Sequence, residues 1–280
     1  MLESMTPDEQ FLGLRASERP GHSSFVVTPH LARFDHRLYG GGALAVSLTA
    51  MALTSGRTPL WATTQFISSV EVGGRIDCRT EVLAEGRRTS QLRVTGTYHD
   101  EVIFSSSGSA VIRKENGLTG IFERMPLVSP PGTGTPAYDV TGDEDGIGWH
   151  LAIEAWEADI HEHPDFGPGR ICLWVRFRQP APWTPARLAF VADVIPTSVA
   201  QACQVNGGGT SLDNTLRLGA MVPTEWVLID LRAQLAVAGF GHGTVHLWSQ
   251  DGALLGFGSQ STSVLVLPEN PLRRVPSRPK

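Results

Sequence analysis

Three cysteines in 280 residues, Cys78, Cys172 and Cys203, are too few, too far apart and odd in number to form a disulfide framework or a CxxC metal pattern. They are expected to be small buried apolar residues of a cytoplasmic protein. A long hydrophobic run is missing as well. The nearest one, Gly40 to Leu53, is interrupted by Ser47 and Thr49 and falls short of the roughly 20 apolar residues that span a bilayer. No membrane span is expected, and the acidic start, from Met1 to Gln10, lacks the basic and then apolar character of a secretory signal. Positive charge is not concentrated anywhere. With 23 Lys and Arg against 28 Asp and Glu, a net charge of -5 and a pI near 6.0, the chain offers no phosphate-tracking surface, and nucleic acid is not expected as a partner. Gly-x-Ser-x-Gly is absent, and Gly239, Gly241 and Gly243 do not make a GxGxxG, so neither a serine-hydrolase elbow nor a dinucleotide site is indicated. What remains is an ordinary globular composition, 41% hydrophobic and 18% charged, with ample apolar mass for a core.

A half-length repeat is more informative than any short motif. Arg75-Ile-Asp-Cys-Arg79, closing on Gly86, answers Leu228-Ile-Asp-Leu-Arg232, closing on Gly239, with Ile-Asp-x-Arg and the glycine at the same spacing. Each half continues with a strand ending in a polar turn, Tyr98 to Glu101 and Ser249 to Gly252. An alternating or apolar run follows, Val102 to Ile112 and Ala253 to Leu267. Before each meander lies a helix pattern. Gly40 to Leu53 has Leu44, Leu48 and Met51 at helical spacing. In the second half, Thr184 is placed to cap a helix running to Ile195, Pro185 suits its first position, and Pro196 is expected to end or kink it.

Ser24 to Ala32 leads the first half; Leu151 to Ile160 and Ile171 to Phe177 lead the second. Asn116 to Asp145, with its Pro-Pro-Gly-Thr-Gly-Thr-Pro, reads as a linker. The expected division is an N-terminal unit over 1–115, a linker over 116–147, a C-terminal unit over 148–270 and a tail over 271–280. One helix against a long antiparallel sheet, repeated twice, is an α+β design, the hotdog arrangement with both copies on one polypeptide. Sheets of this size would expose edges, so the two copies are expected to join side by side, and a dimer of the double unit is a further expectation.

These residues resemble the TesB-like (type II) acyl-CoA thioesterases, which have a double-hotdog fold. In the first half the likeness rests on Leu38-Tyr-Gly-Gly41, Thr64-Gln-Phe-Ile67 and Glu85-Gly-Arg87. In the second it rests on Arg170 to Arg176 with Trp174, Ala192-Asp193, Ser211-Leu-Asp213 and Gly258-Ser-Gln260, so that it spans about Ser24 to Leu267. The resemblance implies an acyl-CoA substrate and a water-activating trio: an Asp in the second helix, a Thr or Ser at a strand start and a Gln in the last strand. Those fall on Asp193, Ser211 and Gln260. The stretch from Asp193 to Ser211 is shorter than the family spacing, which leaves Thr210 or Thr215 as alternatives for the hydroxyl.

Thioester hydrolysis needs a positioned, partly deprotonated water and donors aimed at the carbonyl oxygen. Asp193, among Ala, Leu, Phe, Val and Ile, is expected on an apolar surface where desolvation raises a carboxylate's pKa and makes it a better proton acceptor. Small residues around Gln260 would let a ligand approach. Gly40, Gly41 and Gly42 begin the first helix, and their N–H groups are candidates for holding the substrate, although tight packing of the helix on its sheet explains them equally well. The first helix carries no acid, and Ser109 stands approximately where Gln260 stands, so chemistry is expected in the second half only. No cofactor or metal is expected. His161-Glu-His-Pro-Asp165 reads as a solvated hairpin tip, and His36 beside Asp35 as a surface turn. Competing readings are a hotdog protein that binds acyl thioesters or lipids without turnover, and a hydratase, whose Asp-x-Asn-Pro-x-His type of segment is absent.

Overall fold

A computed structural model describes residues 5–138, 146–160 and 169–267, and the chain in it follows one plan twice. The first unit opens with helix α1 (Pro7–Leu12) and strands β1 (Arg15–Ala16) and β2 (His22–Val26). Helix α2 (Gly40–Ser55) follows, then β3 (Thr58–Phe66), β4 (Arg75–Glu85), β5 (Thr89–Tyr98) and β6 (Glu101–Val111). The second unit has β7 (Ile153–Glu157), β8 (Arg170–Phe177) and two short helices, α3 (Pro185–Val191) and α4 (Ile195–Ala202). It ends with β9 (Gly207–Ser211), β10 (Asp213–Leu218), β11 (Val227–Val237), β12 (Phe240–Ser249) and β13 (Leu254–Val266).

Among the described residues the strands make a single antiparallel sheet in the order β1-β2-β4-β5-β6-β3-β10-β13-β12-β11-β8-β7, with β9 paired to β13. The units join where β3 pairs with β10, Thr63 opposite Thr215, and the two threonine hydroxyls lie 2.9 Å apart across that seam. Each unit would otherwise expose a strand edge there, and the pairing covers both. This is a double hotdog.

Local residue choice explains the elements. In β5 the buried residues Ser90, Leu92, Val94 and Gly96 alternate with more exposed ones, the period of a sheet with one covered face. Helix α2 is buried from Gly41 to Met51, because the sheet packs on one side and α3 on the other, so its sides are apolar almost all round. The core lies between these helices and the inner face of the sheet, where Ile76 and Ile229 of the repeated Ile-Asp-x-Arg both point.

Three features depart from the sequence reading. The second helix is not one rod to Ile195. It stops at Val191, Ala192 to Val194 form a turn, and Pro196 sits in the first turn of α4, where its missing N–H costs nothing. Proline thus starts the second piece of a broken helix. The linker is also tied down where it is described: Val128 bridges Ile160, Pro136 bridges Trp156, and Trp174 Nε1 donates to the Ser129 carbonyl at 2.8 Å. Finally, Cys78 and Cys172 are buried as expected, but Cys203, just past α4, is exposed.

Candidate active site

The break between α3 and α4 sets the site. Asp193 falls in that turn instead of on a helix, and it is 5% exposed. Its Oδ1 accepts hydrogen bonds from Ser211 Oγ at 3.0 Å, Asn214 Nδ2 at 3.1 Å and Gln260 Nε2. Gln260 Nε2 also donates to Ser211 Oγ at 2.6 Å, so the hydroxyl accepts from the amide and passes its own proton toward the carboxylate. The three residues that the resemblance singled out therefore form one cluster. Of the alternatives to Ser211, Thr210 accepts from the Thr262 hydroxyl at its carbonyl and the Thr215 hydroxyl pairs with that of Thr63, and neither reaches Asp193 through a side-chain hydrogen bond.

The glycines at the start of α2 serve this cluster. The Gly41 N–H faces the Asp193 carboxylate and lowers its pKa, with the acid at the positive end of α2. A Cβ on Gly40 would strike Asp193 Oδ2 and the Phe66 ring, and one on Gly41 would strike the Phe190 carbonyl and the Tyr39 ring. Close packing thus demands glycine at both positions. The Gly42 N–H is used inside the helix start, on the Tyr39 carbonyl at 3.0 Å. Of the three, only Gly40 lines the cavity described below.

Burial is the largest influence on Asp193 and raises its carboxyl from 3.8 to about 6, against the lowering effect of hydrogen bonds from Asn214, Ser211, Gln260 and Gly41. Tyr39 donates its hydroxyl to the Asp193 backbone carbonyl at 3.1 Å and stacks on Trp149. Burial, and then the nearby carboxylate, hold its phenol well above the usual range, so it stays neutral. Gln260 Oε1 is buried with no partner among the described residues.

A cavity of about 380 Å³ opens over the carboxylate at the seam of the units. The first unit supplies apolar walls, Phe34, Leu38, Phe66, Ile103 and Phe104, and the second supplies Asp193, Thr197 and the run from Gly208 to Ser211. An apolar chamber with a few convergent polar groups at one end is the usual form of a small-molecule site. Other candidates lie elsewhere. His36 sits in an exposed turn and does not line this cavity. His161 to Asp165 lie outside the described residues, and among the described residues no cluster of three or more His, Cys, Asp or Glu could hold a metal.

Two residues were misjudged or missed in the sequence. Ser109 is not the counterpart of Gln260: it faces the other side of β6, where its hydroxyl donates to Gln91 Oε1. The inward residue is Ser106, beside Thr64 in register, as Gln260 lies beside Asn214 one step from the Thr215 and Ser259 pair. Asn214 itself was not singled out. Period-2 reading of Asp213 to Leu218, with Leu216 and Leu218 facing inward, places Asn214 on that same buried face.

Comparison with known proteins gives the family. A family model described as the acyl-CoA thioesterase N-terminal domain matches residues 28–111, and one described as the acyl-CoA thioesterase C-terminal domain matches residues 131–264. The chain belongs to the acyl-CoA thioesterases. Among solved structures, it resembles a Novosphingobium aromaticivorans protein assigned as a thioesterase, with 32% identity over 93% of this chain and 100% of the other and a TM-score of 0.81. A hot dog fold protein of unknown function from Alicyclobacillus acidocaldarius shares 19% identity over 94% and 100% of the two chains, with a TM-score of 0.79. The acyl-CoA thioesterase II TesB2 of Mycobacterium marinum shares 18% over 93% and 99%, with a TM-score of 0.75, and these last two bear on the fold alone. No curated protein matches the chain. As a member of this family the protein is a thioester hydrolase. No helix among the described residues is long and apolar enough to cross a membrane.

Proposed function

We propose that the protein hydrolyses acyl-CoA to a free acid and CoA with a water activated by Asp193 and oriented by Ser211 and Gln260. One observation carries this reading: a buried carboxylate poised near pH 6 borders an apolar cavity, with its hydrogen bonds supplied by the hydroxyl and carboxamide that the resemblance implies. A base of that pKa is ionised at neutral pH yet basic enough to take a proton as water attacks the carbonyl. The unpartnered Gln260 Oε1 would accept the water's second proton in a hydrogen bond. Water oxygen adds to the thioester carbon as Asp193 takes its proton. The tetrahedral intermediate then collapses with loss of the CoA thiolate, which recovers the proton.

The division into units over 1–115 and 148–270, joined by 116–147, belongs to the same reading; two separate family matches support two units, and the C-terminal one begins at 131, inside the joining segment. So does a cytoplasmic location, which rests on three unpaired cysteines, and a dimer of the double unit. Free-thiol release from acyl-CoAs of increasing length by the purified protein tests the function. Turnover that peaks at one chain length is expected. Binding of every acyl-CoA with no thiol released would favour a non-catalytic carrier of acyl thioesters or lipids.

A further inference from the structure

Asn214 is wholly buried on the inward face of β10, in a row whose next members are Leu216 and Leu218. Its Nδ2 reaches Asp193 Oδ1, while its own Oδ1 is buried with no partner among the described residues. A position that served packing alone would do better with an apolar side chain, because a half-satisfied buried amide is costly. Turning the amide over would not help, since Oδ1 would then face the carboxylate, acceptor against acceptor. The orientation of Asn214 is therefore dictated by a charge on Asp193.

Resting on the reading of Asp193 as the proton acceptor, we propose that Asn214 is a positioning residue for the hydrolysis: its N–H stabilises Asp193 as the carboxylate. With Oδ1 occupied by Ser211, Asn214 and Gln260, Oδ2 is the oxygen turned toward Gly40 in the cavity wall. Among the described residues, the groups facing Asp193 include no formal charge. Tyr39 and the Gly41 N–H lie on the α2 side, Ser211 on β9, Asn214 on β10 and Gln260 on β13, and Tyr39 stays neutral. Arg33, across the cavity, is paired with Asp35. Neutral donors are thus what opposes the desolvation of the acid, and Asn214 is the foremost of them.

The test is the pH profile of kcat/KM for wild type, Asn214→Leu and Asn214→Asp. Asp193 must be deprotonated to act, so activity climbs with pH through its pKa. Loss of a hydrogen bond to a charged group should move that acid limb upward by about one pH unit or more in Asn214→Leu. For a shift of one unit the variant should then be about fivefold slower at pH 6, approaching tenfold at lower pH, and should recover most of the difference at high pH. Asn214→Asp keeps the shape of the side chain and serves as the second variant should leucine fail to pack. It sets a second carboxyl beside the first, so its limb should move upward too. A loss of rate that is uniform across pH, in whichever variant folds, would overturn the proposal. The carboxyl carbon of Asp193, titrated by ¹³C NMR without substrate, gives a readout free of turnover. An unchanged midpoint in both variants would refute the role of Asn214, whereas a fully active Asp193→Asn enzyme would refute the reading of Asp193 itself.

Discussion

Where β10 and β13 present Asn214 and Gln260 to Asp193, the first unit's β3 and β6 present Thr64 and Ser106 to Ser47 of α2. Ser47 and Ser106 hydroxyls lie 2.7 Å apart, and those of Thr64 and Ser106 2.8 Å, all three residues fully or nearly fully buried. The two cages have the same construction and different contents. Hydroxyls both donate and accept, so the first cage satisfies itself without charge and offers no proton acceptor. The second encloses an anion, and an anion there needs donors from several directions. The helix explains how it gets them. Helix α2 is continuous through Ser47, whose Oγ can also bond the Ala43 carbonyl at 2.9 Å. The second helix breaks, which turns Asp193 out of the rod toward β9, β10, β13 and the start of α2. The repeat gives both units one frame; in the mechanism proposed above, the break and the acid distinguish the reactive one.

The strongest way to test that contrast is to change the paired residues in each cage. Asp193→Asn keeps size and much of the hydrogen bonding but cannot take a proton, so kcat should fall by about a hundred- to ten-thousand-fold with little change in KM. Ser47→Ala should leave turnover close to wild type. Gln260→Ala should cost less than Asp193→Asn, and the double variant less than the product of the two, because both act on one water. Equal losses from Ser47→Ala and Asp193→Asn, measured by thiol release, would show that the units share the chemistry.

The repeated Ile-Asp-x-Arg offers a second contrast, this time in stability. Asp77 and Asp230 both face the outer side of the sheet, but Asp77 is exposed and paired loosely with Arg75 at 3.5 Å. Asp230 is 0% exposed and accepts from Arg170 Nε at 2.8 Å and Arg232 Nη2 at 2.7 Å. The outer face of the second unit is a packed layer, with Trp174, Leu228 and Trp248 beneath Met125 and Val128 of the connecting segment. Removing one partner from a buried ion cluster strands the rest, so Asp230→Ala should cost about 3–5 kcal/mol in urea unfolding. Asp77→Ala should stay within about 0.5 kcal/mol. Similar costs would mean that the outer layer does not shield its charges as described.

What was legible in the chain follows from the same contrast. The repeat, the helices' positions and the side-by-side pairing could be read because periodicity and turn residues repeat locally in both halves. Asp193, Ser211 and Gln260 were reached through resemblance, and their convergence depends on a sheet register that no local pattern carries. The helix break is not legible because Pro196 suits a helix stop and a helix start equally, and the choice is made by the packing of α4 on β9 and β11 to β13. The sequence does not separate Ser109 from Ser106, because a slip in register changes the face of the strand, and the pairing of Thr64 with Ser106 settles it. Asp230 gives no sign of burial in the sequence, since its partner Arg170 lies 60 positions away.

The smallest expected effect sharpens the comparison at the corrected position. Ser106→Ala removes the hydroxyl that links Ser47 to Thr64, but Ser47 keeps the Ala43 carbonyl as a partner, so only part of the cage is left unsatisfied. The cost should be about 1 kcal/mol of stability, seen as a lower denaturation midpoint, with kcat close to wild type. Ser109→Ala, on the opposite face, should likewise leave kcat unmoved, since the hydroxyl it removes meets only Gln91. Gln260→Ala should do the reverse of Ser106→Ala: it removes donors from a buried anion, so kcat should fall further than stability. If Ser106→Ala slows turnover as much as Gln260→Ala at equal stability, the hydroxyl cage communicates with the carboxylate across the β3 and β10 seam, and the first unit does more than supply a wall.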